Sequence, residues 1–262
     1  MREQLKKALG LLQPKSAASG ATLLIYHRID GSTSNELDLA PAAFARQIDL
    51  LAGHDVVSLD AALDRLDAGD TTPSVVLTFD DGFDDVYTNA WPLLRERALP
   101  FTIYLASAFM GRQMKWASST STGEPGHGLT WDQLREMVDS GLCTIGNHTH
   151  HHVRPEVLTA AELDACTAEI EAQLGVTPRH FTYPWGIGVP ALRREMGERF
   201  RSASTGVLGR NQPGGDYLNL TRVPVRRSDP DAFFTAKLHG RLLPERIYGW
   251  VVQAAKKLGL SS

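Results

Sequence analysis

Four short segments hold residue types able to do chemistry, and each of them ends an apolar run. The run Ser74–Phe79 leads straight into Asp80-Asp81-Gly82. Adjacent carboxylates at a strand end are like charges a few ångströms apart, so they need a cation or a shared proton. Taken alone, the tripeptide also reads as an Asp-Gly turn capping the next helix, and Asp84 and Asp85 are assigned to that capping role. The run Cys143–Asn147 ends in Gly146-Asn-His-Thr-His-His-His152, which holds four of the nine histidines. His148 and His152 are four apart, a spacing that puts both imidazoles on one side of a helical turn and lets them share one ion. Two histidines and one carboxylate leave coordination positions open for water, which suits catalysis better than a closed structural site. In Phe181-Thr-Tyr-Pro-Trp-Gly186, Pro184 fixes a turn and lets the next N–H point into a cleft. The same residues read equally as a plain strand-to-helix turn. His27 closes the run Leu23-Leu24-Ile25-Tyr26, where a lone histidine is ordinarily packed or at the surface.

These segments need a scaffold that brings them together. The chain has 262 residues, 42% hydrophobic and 22% charged, which provides for a core and a soluble surface and excludes a disordered or fibrous chain. Apolar strands are expected at 21–26, 56–57, 74–79, 101–105, 143–147, 180–183, 202–205 and 220–225. Between them, helices are expected at 41–52, from 59, 84–98, 131–140, 160–174, 189–199, 230–238 and 244–258. Ser58 can cap the second of these, and Thr130/Gln133 and Thr159/Glu162 read as capping boxes. The alternation of strands too apolar for a wet face with helices points to a parallel sheet covered by helices. No Gly-x-Gly-x-x-Gly or P-loop follows a strand, so a (β/α) barrel of fewer than eight units is favoured over an open doubly wound sheet. In a barrel the strand ends converge on one face, where all four segments would meet. Residues 107–129, with Trp116 and His127, form a connection long enough to be functional or mobile.

A formal charge of -3 offers no basic footprint for nucleic acid, which is not expected as a partner. With only Cys143 and Cys166, a disulfide framework and thiolate-held zinc are excluded. No segment approaches the ~20 apolar residues of a membrane span. The N-terminal apolar stretch stops at Gln13-Pro14-Lys15, too short for a signal-peptide core. Residues 5–12 read as a basic amphipathic helix, either in peripheral contact with a membrane or packed as an ordinary helix. The expectation is a cytoplasmic or membrane-associated protein in preference to a secreted one. It is read as a single domain, 1–262, with an N-terminal helical extension at 1–20 and a C-terminal helix at 240–262.

Thr78-Phe-Asp-Asp-Gly82, then His148-Thr-His-His-His152, then Tyr183-Pro184-Trp185-Gly186 resemble, in that order, the motifs of the polysaccharide deacetylase family. It is also called the NodB-homology domain or carbohydrate esterase family 4. The resemblance implies a distorted (β/α) barrel of about seven parallel strands that removes N-acetyl groups from N-acetylglucosamine-type saccharides and releases acetate. It implies Asp81, His148 and His152 as ligands of one divalent ion, Zn2+ first, with Co2+, Ni2+ or Fe2+ as substitutes. It further implies Asp80 as catalytic base, the Trp185 backbone N–H as oxyanion donor, and Tyr183, Pro184 and Trp116 as contacts to a carbohydrate substrate. An O-acetyl esterase and a catalytically silent carbohydrate-binding module are the alternatives. The chain is similar in particular to the poly-β-1,6-N-acetylglucosamine deacetylase subgroup, which begins with a strand ending in Tyr-His.

Two departures from the family pattern carry expectations of their own. Thr182 stands where the family has an arginine that orients the base. Arg222, Arg226 and Arg227 are the substitutes on offer, and Arg222 is preferred because its strand is expected to neighbour the one bearing Tyr183. The family's late histidine motif is also missing. Because the last and first strands of a closed barrel are neighbours, His27 is assigned as the general acid, ahead of His239 and His127.

Overall fold

A computed structural model describes residues 2–10, 18–116 and 125–257. Seven parallel strands close into a barrel in sequence order: β1 Ala21–Tyr26, β2 Ser74–Phe79, β3 Phe101–Leu105, β4 Cys143–Asn147, β5 His180–Thr182, β6 Ser202–Leu208 and β7 Leu220–Pro224. β1 and β2 pair along their whole length, from Ala21↔Ser74 to Tyr26↔Phe79. The ring closes through Leu24↔Val223 and Ile25↔Pro224. It is distorted where β4 meets β5 through the single pair Asn147↔Phe181, and where the β6–β7 register shifts between Ser204 and Leu208.

Around the barrel lie α1 Arg2–Gly10, α2 Pro41–Leu50, α3 Leu59–Asp67, α4 Trp91–Glu96, α5 Trp131–Asp139, α6 Ala160–Leu174, α7 Arg193–Arg199, α8 Asp231–Leu238 and α9 Leu243–Lys257. Side chains alternate along each strand. Leu24, Tyr26, Leu77, Phe79 and Phe101 meet the helices in the main core, with Phe44 and Ile48 of α2 and Trp91 and Leu94 of α4. The opposite set, Leu23, Val76, Tyr104 and Leu220, meets Leu59, Ala62, Leu63 and Leu66 of α3. That apolar face seals α3 over the end of the barrel where the strands begin, leaving the far end open.

Local chemistry accounts for most helix boundaries. Ser58 accepts from the Ala61 N–H, and Thr130 with Gln133 forms the expected capping box. Thr159 makes no capping bond, however; the Glu162 side chain instead accepts from the backbone N–H of His151, 2.9 Å away. The helix expected at 84–98 begins as a π-helical turn, Val86–Ala90, before α4. Pro92 explains the widening, since it lacks an N–H and its ring crowds the carbonyl of Thr88, four residues back. The expected strand at 56–57 is one bridge, Val56↔Val75.

The N-terminal helix packs on α8 and α9. Its Lys6 is fully buried and donates to Ser228 and Asp229, 2.7 Å from each. Among its described side chains Glu3, Gln4, Lys7 and Ala8 are exposed, and Leu5 and Leu9 are half-buried. Leu11 and Leu12 of that expected helix, Leu258 at the end of the C-terminal one, and 117–124 of the long connection lie outside the described residues. Among the described residues no helix is long and apolar enough to cross a membrane.

Candidate active site

All four chemistry-bearing segments reach the open end of the barrel. Asp80, Asp81, His148, His152, Trp185 and His27 line one cleft of about 420 Å³. Five non-glycine residues among those described have positive φ, and four of them sit here: Asp81 (74°), Thr149 (69°), His152 (50°) and Trp185 (63°). Such conformations cost on the order of 1–3 kcal/mol each and persist only where surrounding structure enforces them. The two histidines are therefore not on a helical turn, as their spacing suggested. β4 ends at Asn147, whose side chain donates to the Leu163 carbonyl and accepts from the Thr149 N–H. The loop beyond is pinned to α6 through the Glu162 carbonyl, which accepts from the His150 N–H.

Asp81 Oδ1 lies 3.2 Å from His148 Nε2 and 3.3 Å from His152 Nε2. All three ligand atoms fall within 4.8 Å of one another, on buried residues. His148 Nδ1 is 2.7 Å from the Thr182 carbonyl. A carbonyl only accepts, so Nδ1 carries a proton and Nε2 is the ring atom turned toward Asp81. Burial pulls the His152 imidazole below its ordinary value, toward the neutral form that can ligate. Burial pushes the Asp81 carboxyl up, but hydrogen bonds to the two imidazoles outweigh it and hold the group well below the usual range. Two imidazoles and one carboxylate converging on a point fit a divalent cation with open coordination positions. The other two histidines point elsewhere, His150 Nδ1 to Ser107 Oγ at 2.8 Å and His151 Nδ1 to Glu162 at 2.9 Å.

Asp80 faces a different set of partners. Arg222 Nη1 and Nη2 clasp its two oxygens at 2.7 and 2.8 Å, while Nε donates to the Thr205 carbonyl at 3.0 Å. Arg222 is only 1% exposed. Burial pushes the Asp80 carboxyl up, but the charge and bonds of Arg222 win and hold it below the ordinary range. His27 Nε2 stands 4.0 Å from Asp80 Oδ2. Arg222 is thus the arginine at Asp80, but not by the expected route. β6 separates its strand from β5, and the side chain reaches Asp80 across the lumen. Arg226 pairs with Glu245, and Arg227 donates to the Gly31 and Thr33 carbonyls.

A family model described as polysaccharide deacetylase matches residues 67–198. The chain belongs to the polysaccharide deacetylase family. YxkH of Bacillus subtilis is 29% identical over 143 residues, covering 52% of this chain and 45% of that protein. The poly-β-1,6-N-acetyl-D-glucosamine N-deacetylase of Escherichia coli is 24% identical over 241 residues, covering 74% of this chain and 35% of that protein. The chain therefore spans less than half the length of these two relatives. The structure of IcaB from Ammonifex degensii superposes with a TM-score of 0.73 at 29% identity, covering 87% of this chain and all of that one.

In this deacetylase-family chain the matched span holds Asp80, Asp81, His148, His152 and Trp185, but neither His27 nor Arg222. Trp116 and Trp185 flank His152, with ring centroids 4.2 and 5.5 Å away. Their indole N–H groups, with His27 Nδ1 and His152 Nδ1, are buried and find no partner among the described residues. Gly186 is needed beside Trp185, because a Cβ there would come within 2.7 Å of the Gly206 backbone. Tyr183 and Pro184, expected as substrate contacts, do not line the cleft. Strand alternation explains Tyr183: it falls on the helix-facing side with Phe181, its ring in edge contact at 5.0 Å. Of the other acid candidates, His239 packs at a tilt against His54 and His127 is exposed, and neither lines the cleft.

Sequence reasoning missed the wall that follows β1. Thr33, Asn35, Leu37 and Asp38 line the cleft. Asp38 knots this loop by accepting from the N–H groups of Gly31 at 2.6 Å and Thr33 at 2.8 Å. Asp85, expected as a helix cap, instead accepts from the Ile29 N–H at 2.7 Å and Arg28 Nε at 3.0 Å, bracing the same loop. The polar run from Asp30 to Asn35 was the available signal, and it reads as an ordinary turn.

Proposed function

We propose that this chain is a metal-dependent hydrolase that removes N-acetyl groups from N-acetylglucosamine-type saccharides. The observation that carries the reading is the position of Asp80, clasped by Arg222 and 4.0 Å from His27, next to the Asp81–His148–His152 group. Asp81, His148 and His152 would hold the divalent ion, Zn2+ first. Bound there, it would polarise the acetyl carbonyl and acidify the attacking water. Asp80, kept ionised by Arg222, takes a proton from that water as it adds to the carbonyl carbon. The Trp185 backbone N–H donates to the developing oxyanion. His27 protonates the nitrogen as the C–N bond breaks, so that acetate and a free amine leave. Trp116, on the cleft wall, offers a face to a sugar ring.

The relatives support an amide over an ester substrate, since one of them is named for N-deacetylation of a poly-β-1,6-linked glucosamine. Acetate release from β-1,6-linked N-acetylglucosamine oligomers, chito-oligosaccharides and acetylxylan tests this, with and without a chelator. Release from an N-acetylated oligomer, lost on chelation and restored by Zn2+ or Co2+, is the expected result. Release from acetylxylan alone makes the chain an O-acetyl esterase. No release from any substrate overturns the enzymatic reading in favour of a silent carbohydrate-binding module.

A further inference from the structure

We propose, resting on the deacetylase reading above, that the loop leaving β1 selects sites whose neighbouring sugar still carries an acetyl group, through the Asn35 amide and the Leu37 side chain. Both residues line the same cleft as His27, Asp80 and Asp81. In amide hydrolysis the acid stands at the nitrogen, and the nitrogen joins the acetyl group to the saccharide. The wall next to His27 therefore meets the saccharide, while the acetyl group lies toward Asp80 and Asp81. Backbone pairing puts the loop there. Arg28, which follows His27, donates from its N–H to the Leu37 carbonyl at 3.2 Å and accepts from the Leu39 N–H at 3.0 Å. Neither Asn35 nor Leu37 falls in the span 67–198 matched by the family model, so the chemistry shared by the family does not account for them.

The loop is tied from both sides. Fully buried Asp38 accepts from the N–H groups of Asp30 and Gly31 at Oδ1, and from the N–H and hydroxyl of Thr33 at Oδ2. Beyond β7, Arg227 donates its backbone N–H to the Glu36 carbonyl at 2.8 Å, besides the side-chain bonds to Gly31 and Thr33. A loop held this way is preorganised, so its contacts cost little ordering on binding. Asn35 Oδ1 accepts from the Leu37 N–H at 3.0 Å, which fixes the amide and leaves Nδ2 as a donor with no partner among the described residues. Leu37 is 38% exposed. The wall thus offers one fixed donor beside one aliphatic side chain, with the oxygens of Asp38 already engaged. An acetamido group matches that pair, because its carbonyl oxygen accepts and its methyl is apolar. The ammonium of a unit already deacetylated only donates, so it meets Nδ2 donor to donor and loses hydration against Leu37. Each deacetylation then disfavours the units beside it and spaces the free amines along the chain.

Two β-1,6-linked trimers test this at neutral pH, or β-1,4-linked ones where those release acetate faster. Both carry a deuterium-labelled acetyl on the central unit; the outer units are N-acetylated in one and free amines in the other. Release of labelled acetate should show kcat/KM about tenfold higher with acetylated neighbours, mostly through KM, the size of one directed hydrogen bond and a methyl contact. Asn35→Asp keeps the oxygen that the Leu37 N–H needs and replaces the donor with an acceptor, so it should reverse the preference. Leu37→Ser, at an exposed position, should cut the ratio to about threefold or less. If the wild type releases no acetate from any substrate, the deacetylase reading falls, and the same trimers titrated calorimetrically into it should show the same order in Kd. Equal kcat/KM for the two trimers, or equal Kd in that case, overturns the proposal, as does a preference that Asn35→Asp leaves unchanged.

Discussion

Replacing Arg222 with methionine isolates what holds Asp80. The guanidinium makes two bonds to that carboxylate, at 2.7 and 2.8 Å, with both partners almost fully buried. Removing one partner of such a pair strands the other charge, at a cost of about 3–5 kcal/mol. The total stability of a domain is only about 5–15 kcal/mol, so a large fall in the urea midpoint is expected. Adding Asp80→Asn removes the stranded charge, and the double variant should recover about 2 kcal/mol or more over Arg222→Met alone. For turnover the bound comes from general base catalysis, which contributes about 10²–10⁴-fold. A base that is no longer aimed or kept ionised forfeits most of that, so kcat should fall at least about 10²-fold while KM moves by less than about threefold. Arg222 touches none of Asp81, His148 and His152, so metal content should stay at the wild-type level. Arg222→Lys restores the charge but not the fork that spans both oxygens, and it should recover turnover only in part. Acetate release, metal analysis and urea unfolding on the same preparations read all of this. A folded, metal-loaded Arg222→Met protein with turnover within threefold of wild type would sink the positioning role.

Asp81→Ala, His148→Ala and His152→Ala should each lose the ion by metal analysis, whereas Asp80→Asn keeps it and loses turnover by about 10²-fold or more. A metal-free His150→Ala protein would mean that the wrong histidines were paired. His27→Ala should keep fold and metal, lose most acetate release from acetamido sugars, and regain part of it on a substrate with a better leaving group; His239→Ala should change little. Burial pushes the Asp85 carboxyl up to about 6, against the bonds from Ile29 and Arg28. A folded value raised above the unfolded one, about 3.9, makes its contribution greatest below pH 4 and lost as pH rises through 6, by roughly 3 kcal/mol. The wild-type stability advantage over Asp85→Asn should shrink by up to that amount from pH 4 to 7, and a difference flat with pH contradicts the assignment.

What the sequence revealed and what it hid divide along a physical line. Strand positions were legible because a strand buried on both faces must be apolar throughout, as Ser74–Phe79 is, and the polar residues that end each run mark the open end of the barrel. The two histidines stood out by residue type at those ends, while Asp81 was told from Asp80 only by the family resemblance. The backbone that holds the histidines did not stand out, because positive φ at Thr149 and His152 goes with a bond from the Thr149 N–H to the Asn147 side chain and a link from His150 to α6, neither of which residue type marks. Tyr183 was misplaced for lack of a phase: a three-residue strand is too short for alternation to tell which side faces inward. Glu162 satisfied a local capping pattern, yet a tertiary partner, His151, took its side chain. Arg222 was identified by the need for a cation at Asp80, while its route across the lumen depended on a strand order that residue types cannot give.

The two groups around Asp80 that fall outside the span matched by the family model come from the two ends of the barrel sequence. His27 follows β1 and Arg222 sits on β7, and those strands pair through only two residue pairs. A seam that thin must be held from outside if His27 and Arg222 are to keep their distances to one carboxylate. The terminal helices do this with buried charge. Lys6 of α1 and Lys237 of α8 both reach Asp229, at 2.7 and 2.6 Å. Asp229 in turn accepts from the backbone N–H of Arg226, just past the end of β7, at 2.9 Å. Glu245 of α9 holds the Arg226 side chain. Buried ion networks add little net stability after desolvation, but they penalise any arrangement that leaves a member unpaired. Here that penalty falls on displacement of the segment that leaves β7. The chain termini thereby set the geometry on which the proposed base and acid depend.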